Sequence, residues 1–247
     1  MESTTREALE YAVQLATDQA RVIETPHGTY TDRSLKRIDE RAIPAIPAIG
    51  GTTLASLIEY IHGDIDELPL DQMFIQIDDV HTVSLNSALM TEFPRMNERD
   101  VPFVSKAHTP RITYEQFMPV DKFIIMLQSC FLDTLDRQAI LKFVGALKVG
   151  DGAELRDDGV SQQATIKTGV ANLDRAVVPN PVTLRPYRTF VEAEQPESEF
   201  VFRVDERGQC ALFEADGGMW KVQATNNIKN HLRVQLESLG HTMMIVG

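Results

Sequence analysis

The segment from Pro179 to Trp220 constrains the fold most, because it carries the clearest β-strand pattern in the chain. Over residues 200–205 and again over residues 210–215 the side chains fall into two interleaved sets, and a period of two places each set on one face of a strand. The turn between them ends at Gly208, which can adopt the positive φ that a short hairpin loop requires. The pattern predicts an antiparallel β-hairpin.

Prolines interrupt the β-pattern upstream of this hairpin. A proline cannot donate a backbone hydrogen bond to a neighbouring strand, so these segments belong at sheet edges, bulges or connections. The strand suggested by Val182 and Leu184 is therefore predicted to be broken. The prolines concerned are Pro179, Pro181, Pro186 and Pro196.

Helical spacing of apolar residues recurs along the chain. The run from Val120 to Leu132 is apolar on nearly every side, so we predict a core helix buried beneath the later sheet. Asn226 is the predicted N-cap of the last helix. The predicted helices cover residues 4–20, 52–63, 120–132, 133–147 and 226–240. A short hairpin is predicted over residues 21–31, and further strands are predicted at residues 73–78, 81–85, near 103, and at 153–156, 162–168 and 241–246.

The order of these elements indicates the fold class. Helices and strands do not alternate regularly, which disfavours a doubly wound parallel sheet or an α/β barrel. The sequence predicts an α+β fold with a mainly antiparallel sheet packed on a buried core helix and a helical N-terminal region. Residues 1–51 are expected to hold a helix, a hairpin and a Pro-rich connector. Residues 52–247 are expected to form the α+β domain, β-rich from about residue 148.

Composition excludes several classes of function. The chain has 247 residues and a formal net charge of −12, which argues against binding duplex nucleic acid through its phosphates. No apolar run approaches the roughly 18 residues that a membrane span needs, and residues 1–20 do not resemble a signal peptide. We therefore expect no membrane partner and a cytosolic location. The two cysteines, Cys130 and Cys210, have no C-x-x-C spacing and are predicted to be buried free thiols.

The common catalytic and nucleotide-binding motifs are absent from the sequence. It contains no G-x-x-x-x-G-K-[ST] loop, no G-x-G-x-x-G, no H-E-x-x-H and no G-x-S-x-G. We therefore expect no cofactor, and the balance of the sequence favours a protein that is not an enzyme.

Arg185, Tyr187 and Arg188 are the best candidates for binding a ligand. Two guanidinium groups beside an aromatic ring can hold a phosphate while the ring stacks on a base, which points to a small phosphate-bearing ligand. The alternative, which the sequence favours, is that both arginines pair with the glutamates at positions 192, 194, 197 and 199. Trp220 is a candidate ligand platform or interface anchor, with a place at the edge of the core as the simpler interpretation.

A second candidate site combines Asp79, His81 and His108. Two imidazoles and a carboxylate suit zinc, iron or manganese. The simpler interpretation is a turn-forming aspartate and two structural histidines, which the unspecific spacing favours. A further acidic cluster can hold a cation or supply an acid and a base, and a solvated face is its favoured interpretation. It comprises Glu192, Glu194, Glu197 and Glu199.

Several segments in order resemble the YfdQ-like family of uncharacterised phage and prophage proteins. The segments are GTYTDRSL, IEYIHG, IDDVHTV, SKAHTPRI, MPVDKFIIMLQSCFLD, RTF and FVFRV. Two features depart from the family pattern. Asp79-Val80-His81 stands where the family has aspartate-tyrosine-histidine, and Tyr114 and Phe117 stand where it has tryptophans. The resemblance implies a phage-encoded protein in the host cytoplasm or associated with the virion, and it carries no activity with it.

Three hypotheses of function remain open from the sequence. The favoured one is a non-enzymatic homo-oligomer, an accessory protein that acts as a scaffold or shell or sequesters a small ligand. The second is a metal-dependent or phosphate-handling enzyme that uses His81, His108 and the cluster from Arg185 to Arg188. The third is single-stranded nucleic-acid binding in phage recombination, which the acidic charge disfavours.

Overall fold

A computed structural model describes residues 8–11, 22–26, 28–31, 45–91, 95–149, 154–157, 162–168 and 172–247. The chain divides into two units. One comprises Met1–Pro47 and Ser87–Asp100, and the other comprises Ala48–Asn86 and Val101–Gly247. Residues 8–11 are helical, and the rest of the helix predicted over residues 4–20 lies outside the described residues.

The elements confirm an α+β fold. The helices are α1 (Leu54–His62), α2 (Val120–Cys130), α3 (Leu135–Val149) and α4 (Met219–Ser238). The strands are β1 (Val22–Thr25), β2 (Gly28–Thr31), β3 (Ile49–Gly51), β4 (Met73–Asp79), β5 (Thr82–Ser87), β6 (Phe103–Lys106), β7 (Glu154–Asp157), β8 (Gln162–Thr168), β9 (Asn172–Val177), β10 (Val182–Leu184), β11 (Ser198–Val204), β12 (Cys210–Glu214) and β13 (Met244–Val246). None of the helices in the described part of the chain is long and apolar enough to cross a membrane.

The first unit contains two features set by local sequence. Strands β1 and β2 pair antiparallel, as predicted for residues 21–31. Around residues 87–100, the Arg95 guanidinium donates to both carboxylate oxygens of Asp100, at 3.0 and 2.5 Å, and its Nε donates to Glu98 at 3.0 Å. The hydrogen bonds from Arg95 hold the pKa of Asp100 below its usual value. Ser87 N donates to Asp100 O at 2.9 Å, so Asp100 is bonded both to Arg95 and to the last residue of β5.

The larger sheet of the second unit has the strand order β13-β4-β5-β6-β3. It is mixed, because β13 runs parallel to β4 and β3 runs parallel to β6, whereas β5 and β6 are antiparallel. Strand β3 also corrects the sequence interpretation, which placed residues 49–51 in a connector. Helices α1 and α4 pack against this sheet and contribute the buried helical residues of its core. Its buried residues include Leu54, Leu57, Ile61, Ile75, Val83, Leu85, Phe103, Ile228, Leu232 and Leu236.

The smaller sheet, with the order β10-β11-β12, contains the predicted hairpin. Strands β11 and β12 pair antiparallel, Gly208 has a φ of 72°, and Asp205 N donates to Gln209 O at 2.9 Å. The short strand β10 confirms that the proline-flanked strand is broken. Helices α2 and α3 pack on this sheet. The buried residues of this second core include Phe123, Leu127, Phe131, Ile140, Phe143, Val182, Leu184, Phe200, Phe202 and Leu212.

Three sequence predictions need correction. Helix α2 was predicted to be buried on nearly every side, but it buries one face only, and Ile125 is 63% exposed. The reason is that the sheet covers a single side of the helix. Helix α4 begins at Met219, with Gly218 as its cap, and Asn226 lies inside it. The reason is a stripe of buried residues at every fourth position, which continues the helix through Asn226: Trp220, Ala224, Ile228, Leu232 and Leu236. The sheet of β7, β8 and β9 has a third strand, β9, that was not predicted.

Candidate functional site

A cavity of about 480 Å³ lies where the start of α4 meets strands β10 and β11 of the smaller sheet. Hydroxyl, amide, carboxylate and apolar groups share its lining. The lining residues are Thr183, Glu197, Ser198, Glu199, Asp216, Met219, Trp220, Val222, Gln223 and Asn226. The edge of a sheet and the first two turns of one helix thus form the cavity together.

The Asp216-Gly217-Gly218 sequence positions the helical wall of the cavity. Both glycines have positive φ, 61° and 85°, which an L-residue rarely adopts and glycine adopts readily. Asp216 Oδ1 accepts a hydrogen bond from Gly218 N at 3.0 Å, so the carboxylate satisfies a backbone donor at the start of α4. This turn places Trp220 in the first turn of α4, where it is 8% exposed and lines the cavity.

Arg188 lies behind Trp220 and supports it. Its guanidinium carbon is 4.0 Å from the centroid of the indole ring, a cation–π contact. Its Nη1 donates to Glu214 Oε1 at 2.5 Å, and its Nη2 donates to Ser198 Oγ. Burial lowers the pKa of Arg188, and the neighbouring Glu214 opposes this shift. Arg188 therefore fixes two lining residues, Ser198 and Trp220, from the protein side.

The charge of the cavity is negative. Its lining includes three carboxylates, Glu197, Glu199 and Asp216, and no basic residue among its ten members. Burial alone would raise the pKa of Asp216, but the hydrogen bond from Gly218 N and the charge of Arg188 leave it below its ordinary value. The opposing field of the α4 N-terminus is equivalent to only about half a positive charge. A cation is therefore favoured over an anion.

The rim of the cavity is partly apolar. Met219 is 67% exposed and Val222 is 57% exposed, and both line the cavity beside Trp220. An apolar rim next to carboxylates suits a ligand that combines a positive charge with a hydrocarbon portion. The site thus fits a small organic cation in both charge and surface character.

The structure brings two of the four predicted ligand residues, Arg188 and Trp220, into contact. Arg185 lies elsewhere, with its Nη2 2.9 Å from Glu194 Oε1 and its Nε 3.1 Å from Gln195 O. This pairing with a glutamate of the acidic cluster is the alternative that the sequence favours for Arg185, whereas Arg188 pairs with Glu214, which lies outside that cluster. Tyr187 donates its backbone N–H to Cys130 O at 2.9 Å and joins the smaller sheet to the end of α2.

The acidic cluster from Glu192 to Glu199 divides among three roles. Glu197 and Glu199 line the cavity, as the cation hypothesis for this cluster requires. Glu194 pairs with Arg185, and Glu192 accepts from the backbone N–H of Leu54 at 2.9 Å at the start of α1. Sequence reasoning missed Asp216 and Ser198 as lining residues. The Asp-Gly-Gly turn gave a signal for Asp216, whereas nothing in the sequence distinguished Ser198.

The predicted metal ligands occupy the ends of strands. Asp79 Oδ1 accepts from His81 N at 2.6 Å and lies 4.0 Å from His81 Nδ1, which is the geometry of a turn-forming aspartate. His108 is exposed two residues after β6. Across the described residues, no group of three or more His, Cys, Asp or Glu side chains is placed to hold a metal ion. A metal at Asp79, His81 and His108 stays a prediction.

Both cysteines are buried and free, as predicted. Burial raises the pKa of Cys210 to about 12, so its thiol is protonated at neutral pH and is a poor nucleophile. Neither cysteine lines the cavity.

Comparison of the chain with models of protein families, with curated proteins and with solved structures finds no match. The function of the cavity therefore has to be inferred from its own lining.

Proposed function

We propose that this chain is a phage-encoded, non-enzymatic binding protein that takes up a small organic cation in the cavity beside α4. The observation that carries the proposal is the charge of the lining, since all three of its ionisable side chains are carboxylates. Trp220, Met219 and Val222 supply the apolar contacts that such a ligand needs. Sequestration of a small ligand is one of the roles expected of a non-enzymatic accessory protein, and the family resemblance adds only that the protein is phage-encoded.

Glu197, Glu199 and Asp216 are the lining groups that are able to act as an acid or a base, and in the proposed complex they bind the cation. A phosphate-bearing ligand fits less well than a cation. Arg188 is shielded behind Trp220 and bonded to Glu214, and Arg185 is bonded to Glu194. A phosphate would therefore meet carboxylates first.

Titration of the protein with spermidine tests the proposed ligand class. Trp220 is the single tryptophan of the chain and lines the cavity, so its fluorescence reports directly on occupancy. We expect a saturable change in Trp220 emission with spermidine and none with inorganic phosphate at equal ionic strength. The effect should weaken as salt is added, because the lining carboxylates are partly solvated. Saturation by phosphate alone would contradict the proposal.

A pair of matched variants assigns the binding to the cavity. Glu197→Gln with Glu199→Gln removes two lining charges, each worth roughly 0.5–1 kcal/mol to a bound cation at a solvated site, so spermidine binding should weaken about fivefold or more. Glu206→Gln with Asp71→Asn removes the same charge from exposed positions outside the lining. This control should change the affinity less than about twofold. Equal effects of the two pairs would show that net charge alone attracts spermidine.

We also propose that the protein works as a homo-oligomer in the host cytoplasm or the virion. The edges of the larger sheet support assembly between copies, because β13 and β3 are its outer strands and carry exposed apolar residues. Met244 is 70% exposed, Val246 is 45% exposed and Ile49 is 43% exposed. An apolar edge strand is a ready site for pairing with another chain.

Light scattering at micromolar concentration tests the assembly. We expect a mass that is a multiple of the single chain, and Met244→Lys with Val246→Lys should shift it towards one chain, because charged residues on an edge strand oppose pairing. Val234→Lys, at a residue of α4 that is 61% exposed, is the matched control and should leave the mass unchanged. A single-chain mass for the unmodified protein would refute self-assembly.

A further inference from the structure

Two histidines that are far apart in the sequence meet at the ends of two helices. His62 is the last residue of α1. His241 follows the end of α4, where its backbone N–H donates to Leu236 O at 3.0 Å and Gly240 has a φ of 82°. His62 Nδ1 lies 3.2 Å from His241 Nε2, and the two rings are nearly perpendicular, at 81°. The backbone at both helix ends thus holds the imidazoles together.

The separation of the two nitrogens fits a shared metal ion. Imidazole nitrogens bind zinc at about 2.0–2.1 Å, so two of them at a tetrahedral angle lie about 3.3–3.4 Å apart. The observed 3.2 Å is close to this value. A hydrogen bond between two neutral rings also accounts for the distance, because one ring nitrogen can donate and the other accept.

The surroundings of the pair favour a positive ion. The C-terminus of each helix carries the equivalent of about half a negative charge, and α1 and α4 both end at this point. His62 is exposed and His241 is half-buried, so an ion can enter from solvent and keep bound water. Among imidazole-binding metals, zinc, nickel and copper are the usual occupants.

We propose that His62 and His241 form a two-histidine site for a divalent transition metal, Zn²⁺ or Ni²⁺, which joins the ends of α1 and α4. The described residues place no third His, Cys, Asp or Glu ligand with the pair, so water completes the coordination. This site is separate from the cavity and does not depend on the proposed binding of an organic cation. It also differs from the site predicted at Asp79, His81 and His108.

Calorimetric titration of the tag-free protein with ZnCl₂, and separately with NiCl₂, tests the site. We expect one ion per chain, and His62→Ala or His241→Ala should each weaken binding about tenfold or more, because each variant removes one of only two protein ligands. His81→Ala and His108→Ala are the matched controls and should bind as the unmodified protein does. Loss of binding in the controls would assign the metal to the other site and overturn the proposal.

Thermal unfolding supplies a second readout that does not depend on the calorimetry. A ligand that binds only the folded state raises the melting temperature, so ZnCl₂ should stabilise the unmodified protein and leave His62→Asn and His241→Asn unaffected. Far-UV circular dichroism of the two variants confirms that they fold. Zinc binding that survives in both folded variants, or no zinc binding by the unmodified protein, would refute the site.

Discussion

Replacing Arg188 with methionine is expected to lower the free energy of unfolding by about 2–4 kcal/mol. The Arg188 side chain is 6% exposed, and its loss removes the cation–π contact with Trp220 and the hydrogen bonds to Glu214 and Ser198. The expected loss is smaller than the roughly 5 kcal/mol that breaking a fully buried ion pair can cost, for two reasons. Glu214 is 37% exposed and can be hydrated when it loses its partner, and Arg188 Nε is already buried with no hydrogen-bond partner in the described part of the chain. Urea denaturation followed by far-UV circular dichroism measures the change.

Arg185→Met is the matched control for Arg188→Met. Arg185 belongs to the same connector and also pairs with a glutamate, but its side chain is 25% exposed and that of Glu194 is 73% exposed. Exposed ion pairs contribute at most about 1 kcal/mol, so this variant should be nearly as stable as the unmodified protein. Equal losses of stability in the two variants would mean that the network around Trp220 adds nothing beyond an ordinary surface pair.

The sequence predicted the fold where one short pattern determines one element. The hairpin of β11 and β12 followed from alternation and a turn glycine, both of which act within a few residues. Strand β9 was missed because charged residues at positions 174 and 175 interrupt the alternation. The sequence places the start of α4 too late because Asn226 is a good capping residue, whereas the apolar stripe of the helix begins at Trp220.

The candidate site was harder to predict because it is assembled from distant segments. Arg188 and Trp220 are each recognisable from the sequence as ligand-binding residue types, but their contact is not. Arg188 is held in place by Glu214 at the end of β12, a residue 26 positions later in the chain. The same limit applies to His62 and His241, which are 179 positions apart. Local patterns carry no information about such pairs. The acidic character of the cavity was partly foreseen, since Glu197 and Glu199 belong to a cluster considered for cation binding.

The aromatic contacts of Phe202 join the helical layer to the smaller sheet. Phe202 is 2% exposed, and its ring lies 5.6 Å from the ring of Phe123 on α2 and 5.7 Å from the ring of Phe143 on α3, measured between centroids. Edge-to-face and tilted pairs at such distances add roughly 0.5–1.5 kcal/mol each beyond the burial of apolar surface. The side chain of Phe202 thus packs against both α2 and α3.

Phe202→Ala is expected to lower the free energy of unfolding by about 3–5 kcal/mol, because the neighbouring rings cannot fully collapse into the space that the phenyl group leaves. This loss is a large part of the roughly 5–15 kcal/mol by which native domains are stable. Phe213→Ala on the adjacent strand is the matched control, since Phe213 is half-buried and its ring lies 6.1 Å from that of Phe117. The control should cost about 1.5 kcal/mol or less. Urea denaturation measures the free energy of unfolding of both variants. If Phe213→Ala lowers it more than Phe202→Ala does, the core of the smaller sheet lies on the face opposite to the one that holds α2 and α3, and the prediction is wrong.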